Sequence, residues 1–215
     1  MHKRIMSFFL VLLIAVAFLP AEASAASGKV KMTGYNKVLK SGNVVYCAGA
    51  EGIYRVGVDT AGKVTGIKLL YWDESSGEYS YFYGMKLKGK YLYAQYETEG
   101  TPYGLCRVHV VTGKCKELAS VDCEGSVEYA IKGNKIYYKA LGSKKGRVMN
   151  LNGKSKKRTS VRPKMTHKKS NADGYTVITA EHEIPCQDEE ADEQYLVTTY
   201  LKTPAGTFKL GSHIY

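Results

Sequence analysis

Short apolar and aromatic runs alternate with glycine turns along most of the chain, and one such pattern occurs three times. Each copy begins with a glycine turn followed by an apolar, aromatic run. An Arg-Val pair then opens a second run, which ends at a Gly-Lys turn. The copies are "KSGNVVYCAGAEGIYRVGVDTAGKV" from Lys40, "LKGKYLYAQYETEGTPYGLCRVHVVTGKC" from Leu87 and "IKGNKIYYKALGSKKGRVMNLNGKS" from Ile131. Tyr46, Tyr93 and Tyr137 occupy matching positions, 47 and 44 residues apart, which indicates a repeat fold.

The composition of these runs predicts β-strands. Val, Ile, Tyr and Leu dominate them, glycine turns bound them, and no stretch beyond the N-terminus has a helical period. The second copy has room for four strands, at Tyr79–Leu87, Lys90–Tyr96, Leu105–Val111 and Lys114–Val121. A degraded fourth copy turns at Gly174 and again at Pro204–Gly206. In "NVVYCA" and "NKIYYKA" apolar residues occupy both faces, which predicts sheets that are covered on both sides.

A repeat of about 40–50 residues with four short strands predicts an all-β, β-propeller-like array of about four four-stranded blades. The predicted domain covers residues 26–215, with repeats at about 31–76, 77–126, 127–161 and 162–215. Two closures stay open, a closed four-bladed ring or an open arc whose exposed edges would need a partner. A β-sandwich is the other all-β fold to consider, and the regular repeat disfavours it.

The repeat motif resembles a known group. A glycine turn, an apolar strand with tyrosine and a later R-V-x-x-x-x-G-K are similar to the repeats of secreted bacterial β-propeller proteins of the lipoprotein-receptor-like and TolB-like group. The resemblance covers Lys31 to Tyr215 and implies an architecture; it carries no catalytic residues. Much of that group has no assigned function. Its members usually have six or more blades, whereas this chain has four repeats.

The N-terminus predicts export. Met1–Arg4 is basic, Ile5–Leu19 is almost wholly apolar, and "AEASA" at residues 21–25 offers small residues for a signal peptidase. We therefore expect a signal peptide at residues 1–25, cleaved after Ala25, and a secreted or extracytoplasmic protein. The alternative is an uncleaved membrane anchor, but the apolar run is shorter than the roughly 20 residues that span a bilayer. No second apolar segment follows, so no membrane span is expected after cleavage.

Charge indicates the class of partner. The chain has 31 basic and 20 acidic residues, and a basic exported protein meets anionic glycopolymers, phospholipid head groups or acidic proteins. Nucleic acid is not expected as a partner of an exported chain. The basic residues concentrate between Lys144 and Lys169, where no acidic residue occurs. The binding residues predicted there are Lys144, Lys145, Lys156, Lys157, Arg158, Arg162, Lys164, Lys168 and Lys169.

Two interpretations of this basic run stay open, and the first is favoured. The run is a solvated face that also protects an edge strand from pairing, or it is a patch that binds an anionic polymer with salt-sensitive affinity. The acidic segment "EHEIPCQDEEADE" at residues 181–193 is a long loop with three readings. In order of preference, it neutralises the basic run, is disordered, or binds calcium through its carboxylates.

Other motifs argue against specific chemistry. The Gly-Lys turns recur between strands and lack the phosphate-loop spacing, so they are hairpin turns. No zinc-type cysteine pair, histidine pair or serine elbow occurs, and no cofactor, metal site or catalytic residue is predicted. "EYSYFYG" suggests inter-blade packing by tyrosines, or else an aromatic platform. A two-residue turn at Thr112-Gly113 would place Cys115 opposite Val110, too far from Cys106 for a disulfide.

These observations predict a secreted, non-catalytic binding or interaction module for an anionic cell-surface polymer or a protein partner. One alternative is a propeller-scaffold enzyme, a hydrolase or lyase of glycans, whose loops leave no linear motif. The other is a subunit that completes a larger propeller by self-association.

Overall fold

A computed structural model describes residues 37–50, 52–72, 80–98, 101–121, 127–140, 143–160, 172, 174–184 and 194–214. These residues form four antiparallel sheets, each built from strands that are consecutive in the chain. No helix occurs among them, and none that could span a membrane. The predicted signal peptide lies outside the described residues.

Each sheet is a meander in which every strand pairs with the next. The first contains β1 (Val38–Ser41), β2 (Val44–Gly49), β3 (Gly52–Val58) and β4 (Val64–Tyr71). The second contains β5 (Ser80–Lys88), β6 (Tyr91–Thr98), β7 (Thr101–His109) and β8 (Cys115–Val121). The third contains β9 (Val127–Lys132), β10 (Lys135–Ala140), β11 (Gly146–Asn150) and β12 (Lys157–Thr159). The fourth contains β13 (Thr176–Ile184), β14 (Gln194–Thr203) and β15 (Gly206–Ile214).

The sheets confirm the predicted all-β, propeller-like array of four blades. Three of them have four strands, as predicted, and the fourth has three among the described residues. The chain turns at Gly174 just before β13, and Ala172 forms an isolated bridge with Tyr175. By the repeat, the counterpart of β1, β5 and β9 would precede this turn, where residues 161–171 lie outside the described part of the chain.

The Gly-Lys turns are hairpin turns between the last two strands of a sheet, as predicted. In each of the first three sheets the backbone N–H of the residue that begins the turn donates to the carbonyl of the lysine. The pairs are Asp59 and Lys63, His109 and Lys114, and Asn150 and Lys154, at 3.0, 3.0 and 2.9 Å. Asp59 also accepts the N–H groups of Ala61 and Lys63 on its carboxylate. The turns are therefore closed by backbone and local side chains.

The inner strands β2 and β3 of the first sheet are buried on both faces, as the sequence predicted, whereas the outer strand β4 is mostly exposed. Val45 and Cys47 belong to a buried cluster shared with Tyr175 and Leu201 of the fourth repeat. Alternate residues of the same strand point the other way: Tyr46 belongs to a second cluster, shared with the second sheet. Strand alternation therefore sends successive side chains into two different cores.

Three buried joints connect the sheets. Apolar clusters join the first sheet to the second, the second to the third, and the first to the fourth. At the last of these, the Ala50 N–H donates to the Thr199 hydroxyl at 3.1 Å. The sheets thus pack in the order fourth, first, second, third. The contact between the first and fourth sheets is one of those that a closed ring requires. Among the described residues no buried cluster joins the third sheet to the fourth, so the closed ring and the open arc both stay predictions.

The tyrosine-rich strand β5 mainly serves packing. Phe82 and Tyr83 are buried, and Phe82 packs edge-on against Tyr71 at a ring-centroid distance of 5.7 Å. Tyr81 is exposed, and Tyr79 lies outside the described residues. The described part of this strand therefore provides inter-sheet packing with one exposed ring, which falls short of an aromatic platform.

Candidate anion-binding rim on the third sheet

The third sheet carries almost only positive charge. Residues 127–160 contain ten basic residues and one acidic residue, a net charge of 10 − 1 = +9. The single acid, Glu128, is buried, and its carboxylate lies 2.6 Å from the Lys139 ammonium group. Lys135 is held by the side-chain oxygen of Asn150, also at 2.6 Å. Glu128 is therefore already paired with Lys139. The remaining basic residues have no carboxylate in their own sheet with which to form an ion pair.

The predicted binding residues within the described part of the chain lie at the outer edge of this sheet. They are all exposed, in the loop before β11 and in or next to the edge strand β12: Lys144, Lys145, Lys156, Lys157 and Arg158. The other predicted residues, Arg162, Lys164, Lys168 and Lys169, lie outside the described residues. We call Lys144, Lys145, Arg147, Lys156, Lys157 and Arg158 the basic rim.

The strand register brings two arginines together that are distant in sequence. Arg147 of β11 is directly opposite Arg158 of β12, and both are exposed. Side chains at directly opposed positions lie on the same face, and like charges there destabilise the pair of strands. Neither arginine is paired with a carboxylate among the described residues. An anion between the two guanidinium groups would remove this repulsion.

Arg147 was not among the predicted binding residues, because its Arg-Val pair matched the structural motif of the other repeats. In the first two sheets that arginine is opposite the repeat tyrosine: Arg55 faces Tyr46 and Arg107 faces Tyr93. In the third sheet Val148 occupies this position opposite Tyr137, and Arg147 is opposite Tyr138. The one-residue shift transfers the arginine to the other face of the sheet.

In the first two sheets, where the arginine of the Arg-Val pair is opposite the repeat tyrosine, contacts within the protein hold its side chain. The Arg107 guanidinium lies over the Tyr91 ring, 4.3 Å from its centroid, and donates to the Leu151 carbonyl at 3.3 Å. Its counterpart Arg55 hydrogen-bonds Tyr46. No such contact is found for Arg147 among the described residues. Its guanidinium is therefore available to a ligand.

The last strand of each of the first three sheets carries a lysine at matching positions, and only in the third sheet does this lysine lack a partner among the described residues. Lys68 of the first sheet donates to the Val111 carbonyl of the second at 2.9 Å. Lys116 of the second sheet donates to the Asn152 carbonyl of the third at 3.2 Å. Lys157 is the next member of this series, opposite Val148, and it is exposed with no such acceptor among the described residues. Lys68 and Lys116 therefore connect neighbouring sheets, whereas Lys157 is exposed at the surface of the third sheet.

The structure does not place the whole predicted patch on one face. Arg158 shares a face with Arg147, while Lys157 projects from the opposite face of β12 because successive strand residues alternate. Among the described residues β12 is also the outer strand of its sheet, the position in which the first interpretation assigns the charges to protection from strand pairing. Edge protection accounts for the lysines, and the opposed arginines are the feature that it leaves unexplained.

The acidic segment touches the described structure only at its start. Glu181 and Glu183 lie on β13 and are exposed, and residues 185–193 lie outside the described part. Among the residues that are described, no group of three or more His, Cys, Asp or Glu side chains could hold a metal ion.

Comparisons with known proteins identify no family for this chain. No protein-family model and no curated protein matches the chain. Among solved structures, the chain is similar to an oligogalacturonate lyase in complex with manganese (14% identity) and to the oligogalacturonate lyase of Vibrio parahaemolyticus (10% identity). Both have a TM-score of 0.41, and each alignment covers 80% of this chain and 50% of the other. The chain thus spans half the length of these enzymes, and a likeness this distant carries no conclusion about function.

Proposed function

We propose that the protein is an exported, non-catalytic binding module whose basic rim holds an anionic cell-surface polymer. The observation that carries the proposal is the direct opposition of Arg147 and Arg158 on an exposed edge, without a carboxylate partner among the described residues. Guanidinium groups bind carboxylate and phosphate oxygens in a planar, two-pronged geometry. Two of them on one face form a site for consecutive anionic groups of a chain.

Export supports this assignment. The N-terminal pattern predicts a signal peptide, and the repeat motif resembles that of secreted bacterial propellers of the lipoprotein-receptor-like and TolB-like group. The full chain has a net charge of +11, and a basic exported protein raises the local concentration of polyanions by long-range attraction. The glycan-enzyme and larger-ring alternatives from the sequence stay predictions.

The proposal is tested by retention on two immobilised polymers, polygalacturonate for carboxylates and poly(glycerol phosphate) for phosphates. At about 10 mM salt, charges interact over about 30 Å, and binding should be lost as salt rises. The double variant Arg147→Gln/Arg158→Gln should bind about 2- to 30-fold more weakly, since each exposed ionic contact contributes about 0.2–1 kcal/mol. The matched control is Lys202→Gln/Lys209→Gln on the fourth sheet, which removes the same charge from exposed positions.

Comparing the affinities of the two double variants distinguishes binding at the basic rim from a general effect of net charge. If the control loses as much affinity as the rim variant, or if neither polymer retains the wild type at low salt, the proposal is wrong. Arg158→Glu separates binding from folding. It replaces a like-charge pair by an opposite-charge pair, so it should keep or raise stability by about 0.2–1 kcal/mol while it weakens retention at least as much as the double variant does.

A further inference from the structure

A groove opens between the first and fourth sheets, away from the basic rim. It has a volume of about 460 Å³, and its lining includes residues of β4 and β15, the outer strands of the two sheets. Tyr54, Ile67, Leu69 and Trp72 line it from the first sheet, and residues 210–213 line it from the fourth. Small-molecule sites are concave and fall between about 300 and 1,000 Å³, so the groove has room for a small ligand.

Three of the large apolar side chains that the fold leaves exposed are gathered in its walls. Ile67, Leu69 and Trp72 are 43%, 42% and 41% exposed, and all three lie in this one groove. The Trp72 ring is fixed by an edge-on contact with the His213 ring, at a centroid distance of 5.0 Å and an interplanar angle of 68°. Clustered exposed apolar residues with an oriented aromatic ring indicate a binding surface.

One polar group that lines the groove has no partner among the described residues. The Tyr54 side chain is only 2% exposed, and its hydroxyl is buried without a hydrogen-bond partner in the described part of the chain. An unsatisfied buried hydroxyl is unfavourable, and most buried polar groups are hydrogen-bonded. A ligand oxygen that accepts or donates a hydrogen bond at Tyr54 would satisfy it. The hydroxyl is therefore an independent indication that the groove takes a ligand with a polar group.

The lining also defines the charge of that ligand. None of the eight lining residues is Asp, Glu, Lys or Arg. Lys68 lies between Ile67 and Leu69, but its ammonium group is directed to the Val111 carbonyl of the second sheet. An ionic ligand would lose its hydration here without gaining a countercharge. The groove therefore suits a neutral molecule.

We propose that this groove is a binding site for a neutral sugar, with one face of a pyranose ring stacked on Trp72 and a ring hydroxyl hydrogen-bonded to Tyr54. A neutral pyranose combines an apolar face of C–H groups with a rim of hydroxyl groups. The groove offers the matching pair of features, an exposed aromatic and apolar wall beside a buried hydroxyl without a partner. The site shares no residue with the basic rim, so each proposal can fail without the other.

Trp72 is the only tryptophan in the chain, so its fluorescence reports on the groove alone. Neutral sugars (glucose, galactose, N-acetylglucosamine and their disaccharides) are titrated into the full-length protein. At least one should shift the emission of Trp72 saturably to shorter wavelength, since a stacked ring displaces water from the indole. Galacturonate, the charged counterpart of galactose, and indole, an aromatic compound without hydroxyl groups, form the two other arms.

Two variants provide the structural controls. Tyr54→Phe removes only the hydroxyl oxygen and should weaken sugar binding about three- to tenfold without loss of thermal stability, since the hydroxyl has no partner in the free protein. Val111→Ala alters an apolar side chain that is 65% exposed in a turn of the second sheet, outside the groove lining, and should leave binding unchanged. Three results would overturn the proposal: no saturable shift with any neutral sugar, equal affinity of Tyr54→Phe and wild type, or binding of indole or galacturonate in place of neutral sugars.

Discussion

The contact between Cys106 and Cys115 depends on the length of the turn between β7 and β8, because that length sets the register of the two strands. Cys115 is opposite Val108 and not Val110, so the predicted register is wrong by two residues. The turn is longer than predicted because the His109 imidazole accepts the N–H groups of Val111 and Thr112, at 3.4 and 3.2 Å. Cys106 and Cys115 consequently lie on one face as diagonal neighbours and hydrogen-bond each other. Both are thiols in the structure.

The cysteines should differ sharply in reactivity. The hydrogen bond with Cys115 and complete burial raise the pKa of Cys106, and burial raises the pKa of Cys47. A raised pKa lowers the thiolate fraction, and only thiolates react with alkylating reagents. In the native protein between pH 7 and 9, we expect iodoacetamide to modify Cys115 first and to leave Cys47 and Cys106 unmodified.

Peptide mass mapping measures each cysteine separately, which also resolves Cys123 and Cys186 outside the described residues. In guanidinium chloride all five should react, which controls for digestion and recovery. Native labelling of Cys47 at the rate of Cys115 would contradict the packing of β2 between two sheets.

At the scale of strands and turns, the sequence predicted most of the fold. The second sheet was placed within a few residues, at Tyr79–Leu87 against the observed Ser80–Lys88, because alternating apolar runs bounded by glycine are a local signal. Register across the outer hairpins was not predictable in the same way. It depends on turns closed by side chains such as His109, and a shift of one residue moved Arg147 to the other face. The candidate site could therefore be predicted as a region but not as an arginine pair.

Gly113 and Gly133 provide a matched test of how turns join sheets. Both have positive φ, +74° and +56°. A Cβ at Gly133 would meet no atom within 4 Å, whereas one at Gly113 would lie 1.9 Å from the Leu70 carbonyl oxygen of the first sheet. Gly133→Ala should cost about 1–2 kcal/mol, the usual penalty of a left-handed alanine. Gly113→Ala adds a backbone clash between sheets and should cost about 3 kcal/mol or more.

Urea denaturation of the two variants measures this difference directly. If both variants lose the same free energy of unfolding, the Gly113 turn does not contact β4. If only Gly133→Ala is destabilised, the contact between Gly113 and Leu70 of the first sheet is wrong.

At the scale of the whole molecule, the order in which the four sheets pack against one another could not be predicted from the repeats alone. The sequence left a closed ring and an open arc as alternatives, and the fourth repeat lacks the Arg-Val and Gly-Lys signals that define the others. The structure nevertheless packs the fourth sheet on the first, through Tyr175 and Leu201 against Val45 and Val56. Such a contact joins residues far apart in the chain, and no local pattern encodes it.

Two residues of the fourth sheet test whether this joint holds the array together. Leu201 is fully buried in the cluster shared with the first sheet, and Ile178, on the neighbouring strand, is 41% exposed. Leu201→Ala should cost about 2–5 kcal/mol, since it removes buried methyl groups and leaves a cavity between the sheets. Ile178→Ala should change stability by less than about 1 kcal/mol. Because Leu201 and Cys47 belong to the same buried cluster, Leu201→Ala should also make Cys47 more accessible to alkylation, whereas Ile178→Ala should not. A small cost for Leu201→Ala with Cys47 still protected would mean that the first and fourth sheets do not close on each other, and that the array is an open one.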